Sequence, residues 1–198
     1  MSEQARSAIV ERQTKETQIK VDLELDGAGE AVADTGIGFL DHMLDLLARH
    51  GRMDITVKAT GDLETGAHHT TEDVGIVLGQ ALDRALADRS GIRRYGEATV
   101  PMDESLARCA IDVSGRPLCV YEAQLPVTSI AGFDTELAEE FFRALANNAK
   151  LTLHLRVLEG NNAHHMIEAS FKAFARALRE ASSIDPAERG VPSTKGVL

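Results

Sequence analysis

The sequence predicts an α+β fold: a duplicated βββαβα unit with its helices sandwiched between two mostly antiparallel sheets. Three observations predict it. First, Gly66-Ala67-His68-His69-Thr70-Thr71-Glu72 returns as Asn162-Ala163-His164-His165-Met166-Ile167-Glu168, so the form Ala-His-His-x-x-Glu occurs twice. Second, sliding one half by about a hundred residues, the way internal repeats are sought, brings more into agreement. Asp34-Thr35 meets Asp134-Thr135, Leu47 meets Leu145, Ala48 meets Ala146 and His42 meets Glu140. Third, each half runs from alternating segments into a helix, a strand and a second helix. Neither half has the apolar surface to stand well alone, so packing the helices between two sheets is the economical arrangement. The chain reads as one domain, residues 1–198, made of two pseudo-repeats at about 1–95 and 96–198.

In chain order, Thr17–Leu25 and Ala31–Asp34 are predicted as hairpin strands around the turn Asp26-Gly27-Ala28-Gly29. Gly38–His50 follows as an amphipathic helix, with Phe39, Leu40, Met43, Leu44, Leu46 and Leu47 on one side. Asp54–Ala59 alternates as a half-buried strand does. The first His-His string then opens a helix continuing through Glu72–Ala87, stopped by Gly91. Ile92–Glu97 joins the halves. The pattern repeats with Arg108–Val113 and Leu118–Glu122 flanking Ser114-Gly115-Arg116-Pro117, the helix Leu137–Ala149, the strand Thr152–Val157, and a helix through Glu168–Ala181. The stretch from Asp185 to Gly196 is polar and turn-rich: a tail, or a loop that orders over a ligand, for which Ser193, Thr194 and Lys195 would suit an anion.

Composition narrows the partners. With 21 basic and 31 acidic residues the formal charge is 21 − 31 = −10, which argues against nucleic acid or a membrane surface. It leaves room for an anionic substrate, because a local cluster of Arg and Lys binds phosphate inside an acidic protein. Cys109 and Cys119 form no CxxC pair and read as reduced strand thiols. The N-terminal stretch Met1–Glu16 is polar and lacks a signal core, and no apolar run is long enough to span a bilayer. The expected address is the cytoplasm.

Of the 7 histidines, four lie in the two strings. At a helix start, residues four apart share a face, so His68 and Glu72 can grip one ion, and so can His164 and Glu168. The neighbours His69 and His165 are rotated about 100° around the axis and point elsewhere. Repetition therefore favours two ions: one with His68, Glu72 and a histidine such as His165, the other with His164, Glu168 and a histidine such as His69. His42, a polar interruption in an apolar helix, and its repeat partner Glu140 are candidates to complete the shells. Cysteine is absent from the set, which disfavours a closed structural zinc site. Mixed nitrogen and oxygen donors suit Mn, Fe, Co or Zn.

These strings, together with Phe39-Leu-Asp-His42-Met, Arg12-x-Thr-Lys-Glu16-Thr, Ser114-Gly-Arg116-Pro and Pro192-Ser-Thr-Lys195-Gly, resemble the imidazoleglycerol-phosphate dehydratase family over nearly the whole chain. The resemblance is to a stand-alone dehydratase with no fused phosphatase. It implies a duplicated βββαβα fold, assembly into a 24-subunit shell, and dimanganese sites between neighbouring subunits, with two Mn(II) per active site and no organic cofactor. It implies His42, His68, His69, Glu72, His164, His165 and Glu168 as metal ligands. Glu140 falls where many relatives carry histidine, a departure a carboxylate can fill on an oxygen-favouring metal. It implies Glu16 as the catalytic acid–base, and Arg94, Arg116, Lys172, Ser193 and Lys195 as phosphate contacts.

The reaction so implied dehydrates D-erythro-imidazoleglycerol phosphate to imidazole acetol phosphate in L-histidine biosynthesis. The departing proton sits on a carbon with no adjacent carbonyl, so the substrate's imidazole must serve as electron sink. A metal-stabilised imidazolate would expel the C3 hydroxyl, with one ion for each ring nitrogen. Two rivals share the histidines. A dimetal phosphate-ester hydrolase would bridge ions about 3.5–4 Å apart with carboxylate or water, and here histidines outnumber carboxylates. A purely structural role would use the metals to pin subunits together.

Overall fold

The structure, a computed structural model, describes residues 5–198. The first four residues of the polar N-terminal stretch lie outside that range. Two four-stranded sheets enclose four helices. The first half contributes β1 (Ser7–Gln13), β2 (Thr17–Glu24), β3 (Ala31–Asp34), α1 (Gly38–Gly51), β4 (Asp54–Gly61) and α2 (His68–Leu86). The second contributes β5 (Tyr95–Met102), β6 (Ser105–Asp112), β7 (Leu118–Glu122), a short hairpin of β8 (Ser129–Ile130) and β9 (Phe133–Asp134), then α3 (Leu137–Ala149), β10 (Thr152–Glu159) and α4 (Ala163–Ser182). Strand order is β1-β2-β4-β3 in one sheet and β5-β6-β10-β7 in the other.

The alternation seen in the sequence decides which face each strand buries. Thr17, Ile19, Val21 and Leu23 of β2 point inward while their neighbours face out, and Ala107, Cys109 and Ile111 of β6 do the same. Phe133, Phe141, Phe142, Phe171 and Phe174 fill the centre, and every one is fully buried. Fully burying one such ring contributes about 1.5–3 kcal/mol. Among the described residues no helix is long and apolar enough to cross a membrane.

Two connections differ from the sequence reading. Segments Thr17–Leu25 and Ala31–Asp34 do not pair as a hairpin. Strand β4 lies between β2 and β3, antiparallel to the first and parallel to the second. The same holds for β10 between β6 and β7. The cause is the helix: β3–α1–β4 and β7–α3–β10 are crossover units, and a crossover returns its strand parallel. The true hairpins are β1–β2 and β5–β6. Hence the joining segment Ile92–Glu97 already begins strand β5 at Tyr95.

Helices α2 and α3 lie side by side and run in the same direction, so their N-termini share one end of the molecule. A Cβ at Gly75 would fall 2.8 Å from the Phe141 carbonyl oxygen, and one at Gly79 only 2.5 Å from that of Leu145. Those two glycines permit the close approach. Each half's second helix thereby meets the other half's first, as α1 also packs on α4.

Candidate active site

The closest-knit donors lie where α1 starts beside α4. One nitrogen each of His42 and His164 and one oxygen of Glu168 lie within 4.8 Å of one another. Asn162 caps α4, its Oδ1 accepting from the backbone N–H of His164 at 3.0 Å and of His165 at 3.4 Å. That cap fixes the first turn and puts His164 and Glu168 on one face; His164 Nε2 stands 3.3 Å from Glu168 Oε2. The Phe39 ring packs edge-on against His164, with centroids 5.0 Å apart. Glu168 is buried, its side chain 9 % exposed, and Lys172 Nζ donates to Oε1 at 2.7 Å. Burial pushes the Glu168 carboxyl up, but the Lys172 hydrogen bond and charge, with His42 and His164, outweigh it and hold the carboxyl below its usual range. One carboxylate oxygen thus remains facing two imidazoles. Two nitrogens and an anionic oxygen around one point fit a divalent transition ion.

The repeat set is His68, Glu72 and Glu140. Helix α2 begins at His68, and Glu140 precedes Phe141, which abuts α2 at Gly75. Among the described residues these three do not close into a comparable cluster. Nor do His69 and His165 join the first: each turns to a carboxylate in its own half. His69 Nδ1 lies 3.0 and 3.2 Å from the two Asp62 oxygens and 4.0 Å from Glu16 Oε2. His165 Nδ1 lies 2.8 Å from Glu104 Oε2. The Asp62 hydrogen bond, then the Glu16 charge, raise the affinity of His69 for a proton; the Glu104 hydrogen bond does the same for His165.

Glu16 sits in the β1–β2 turn with its side chain 57 % exposed. Thr14 Oγ1 accepts from the backbone N–H of Glu16 at 3.1 Å and of Thr17 at 3.0 Å, which shapes the turn. Buried Asp73 on α2 accepts from Arg12 Nε at 3.0 Å and from the Thr17 hydroxyl. The Arg12-x-Thr-Lys-Glu16-Thr motif therefore ties this turn to α2.

The predicted phosphate contacts divide. Arg94 takes a left-handed conformation, φ 72°, and forks onto Asp112 at 2.7 and 3.2 Å while donating to the Pro192 carbonyl at 2.9 Å. Arg116, 67 % exposed, approaches the same Asp112 at 3.7 Å. The C-terminal segment folds against them, with Ser193 Oγ accepting from the Lys195 backbone N–H at 3.2 Å and the Ser193 carbonyl from Gly196 N–H at 2.9 Å. Arg94, Arg116, Ser193, Thr194 and Lys195 thus gather at one end. Lys172 does not join them and stays with Glu168. The His42–His164–Glu168 group and the Arg94–Arg116 cluster are separated by the length of α4: His164 lies in its first turn, while Arg94 N–H bonds the Ala181 carbonyl near its last. A helix of 20 residues is about 30 Å long.

Four carboxylates with structural work at this site escaped the sequence reading: Asp62, Glu104, Asp73 and Asp112. None has a motif of its own. A usable signal existed for two. For Asp62 that signal is its place in the loop between β4 and the first His-His string, within reach of a histidine nitrogen; for Glu104 it is the shared turn position with Glu16, each directly before the next strand.

Comparison with known proteins points to one family. Residues 35–178 match a family model described as imidazoleglycerol-phosphate dehydratase. A relative of that name from Symbiobacterium thermophilum is 63% identical, over 96% of this chain and 91% of its own. The fold is similar to the crystal structure of that enzyme from Staphylococcus aureus, with TM-score 0.81 and 43% identity over 90% of this chain and 100% of that one. A Pyrococcus furiosus counterpart in complex with (S)-C348 gives TM-score 0.82 and 37% identity over 96% of this chain and all of that one.

Proposed function

The chain belongs to the imidazoleglycerol-phosphate dehydratase family, and on that premise we propose that it dehydrates imidazoleglycerol phosphate to imidazole acetol phosphate at a divalent-metal site completed by neighbouring copies. The observation that carries the reading is the His42–His164–Glu168 cluster, in which three donors converge within 4.8 Å. His42, His164 and Glu168 would hold one manganese ion and His68, Glu72 and Glu140 a second, with His69 and His165 as the further ligands. When bound, the ions supply Lewis acidity toward the ring nitrogens of the substrate.

The protein's own groups do the rest. Glu16 takes the proton from C2; exposed and beside His69, it can reach a substrate held there. The C3 hydroxyl leaves with a proton as water, and the resulting enol tautomerises to the ketone. Arg116 and the Ser193–Lys195 segment bind the phosphate, and Arg94, held by Asp112 and Pro192, fixes that segment in place. A ring at the metal donors and a phosphate at Arg116 cannot both be served by one copy, because α4 separates them and the substrate is far shorter. This supports a homo-oligomer in which one chain's anion cluster faces another's metal donors. Exposed Val32, Tyr95, Leu118 and Leu158 give such contacts apolar surface. Within that assembly we read residues 1–198 as one domain of two repeats, working in the cytoplasm.

The test is turnover of imidazoleglycerol phosphate by the purified protein. The reading expects an enolisable ketone to form with phosphate still attached, and that activity to be lost in Glu16→Gln. Release of inorganic phosphate instead would indicate a hydrolase.

A further inference from the structure

We propose that Asp62 and Glu104 are positioning residues: each accepts a hydrogen bond from Nδ1 of the second histidine in its half, His69 or His165, and so keeps the Nε2 lone pair free for a metal. The proposal rests on the metal reading above.

Geometry supports it. Asp62 lies 3.0 Å from His69 Nδ1 and Glu104 2.8 Å from His165 Nδ1. A neutral imidazole carries one N–H, and a carboxylate only accepts, so the proton must sit on Nδ1. Asp103, the other acid near His165, is 3.9 Å from Nε2, beyond hydrogen-bond reach. Both positioning carboxylates are themselves held. Asp62 Oδ2 accepts from the Thr65 hydroxyl at 3.1 Å. Glu104 Oε1 accepts from Asn162 N–H at 3.0 Å and the Ser105 hydroxyl at 3.1 Å, which ties it to the cap of α4.

The duplication explains why two different carboxylates do one job. Glu104 precedes the first residue of β6 in the β5–β6 turn, as Glu16 precedes the first residue of β2 in the β1–β2 turn. Both face the second histidine of their own string, at 2.8 and 4.0 Å. Asp62 follows the last residue of β4, where the second half has Gly160 after β10. A side chain at Gly160 is strained and crowded: a Cβ there would lie 2.6 Å from Ser105 Oγ and Met166 Cγ, at φ 148°. The second half must therefore orient its histidine from the turn. The first half orients it from Asp62, which releases Glu16 for proton transfer.

The experiment measures Mn(II) affinity of the full chain by chelator competition, with histidine tautomers read by magic-angle-spinning ¹⁵N spectra of the metal-free protein. Asp62→Asn and Glu104→Gln should each weaken Mn(II) binding about 10–100-fold and shift one histidine from the Nδ1–H form. Gln at 104 keeps an oxygen for the Asn162 N–H, so the fold is retained. Glu16→Gln, whose carboxylate stands 4.0 Å from His69 Nδ1 without a hydrogen bond, should weaken Mn(II) binding less than either. Wild-type affinity and unchanged tautomers in both positioning variants, beside weakened His69→Ala and His165→Ala, would overturn the proposal alone. Wild-type affinity in those two alanine variants as well would overturn the metal reading beneath it.

Discussion

Glu104 and Asp112 stand at opposite ends of strand β6 and hold opposite halves of the candidate site. Glu104 bonds His165 at the histidine end, and Asp112 bonds Arg94 at the arginine end. At about 3.3 Å per residue the strand keeps them roughly 25 Å apart. Mixed assemblies test what this separation demands. His164→Ala and Arg116→Ala chains should each be inactive alone. Unfolded and reassembled together at equal amounts, they should recover up to about a quarter of wild-type turnover, since random pairing restores one intact histidine end facing one intact arginine end in that share of sites. No recovery would place both halves of a site on one chain.

Lys172 is the cation that stabilises Glu168 in the metal-free protein. Lys172→Met would leave a buried carboxylate short of its strongest partner, at a cost of about 1–3 kcal/mol. Denaturant unfolding without metal should show that loss, and added Mn(II) should restore part of it. An unchanged midpoint would mean the 2.7 Å pair contributes nothing net.

Gly79→Ala tests the parallel contact of α2 with α3. The added methyl would meet the Leu145 carbonyl oxygen at 2.5 Å, and such overpacking costs about 1–3 kcal/mol. Because the contact also sets Glu140 beside the start of α2, Mn(II) affinity should fall with stability. The control is Gly38→Ala, where nothing lies within 4 Å of the new Cβ.

Asp54 gives the fold a defined acid sensitivity. Its Oδ1 accepts from the backbone N–H groups of Glu30, Gly29 and Ala28 at 2.8–2.9 Å, and these bonds hold its carboxyl below the usual range. A depressed folded value stabilises fully above the unfolded value and is lost as pH falls through the folded one. The contribution should therefore be complete at neutral pH and fade below about pH 4. Asp54→Asn should lower stability by about 1–2 kcal/mol at pH 7 and flatten the acid limb of the stability profile.

Legibility in the sequence followed burial. The two-layer architecture could be read because β2, β4, β6 and β10 each have one face in the core and alternate over most of their length. Strand β1 escaped because it is an edge strand with only Val10 buried and Ile9 exposed. Pairing order escaped because the loop Asp26-Gly27-Ala28-Gly29 has hairpin composition but bends around Asp54 instead. The ligand candidates were visible as a repeated string. Their supporting carboxylates were not, because Asp62 and Glu104 come from unrelated connections and share no spacing. The resemblance implies Lys172 as a phosphate contact; within one chain its α4 position, four residues after Glu168, puts it on the face of that carboxylate.

The most direct test follows turnover of imidazoleglycerol phosphate through a metal cycle on one preparation, with bound metal quantified at each stage. Turnover should vanish when a chelator strips the divalent ions and return in proportion to Mn(II) rebound. Full turnover in protein shown to be free of divalent metal, or none after the ions are rebound, would contradict a dehydratase built on these histidines.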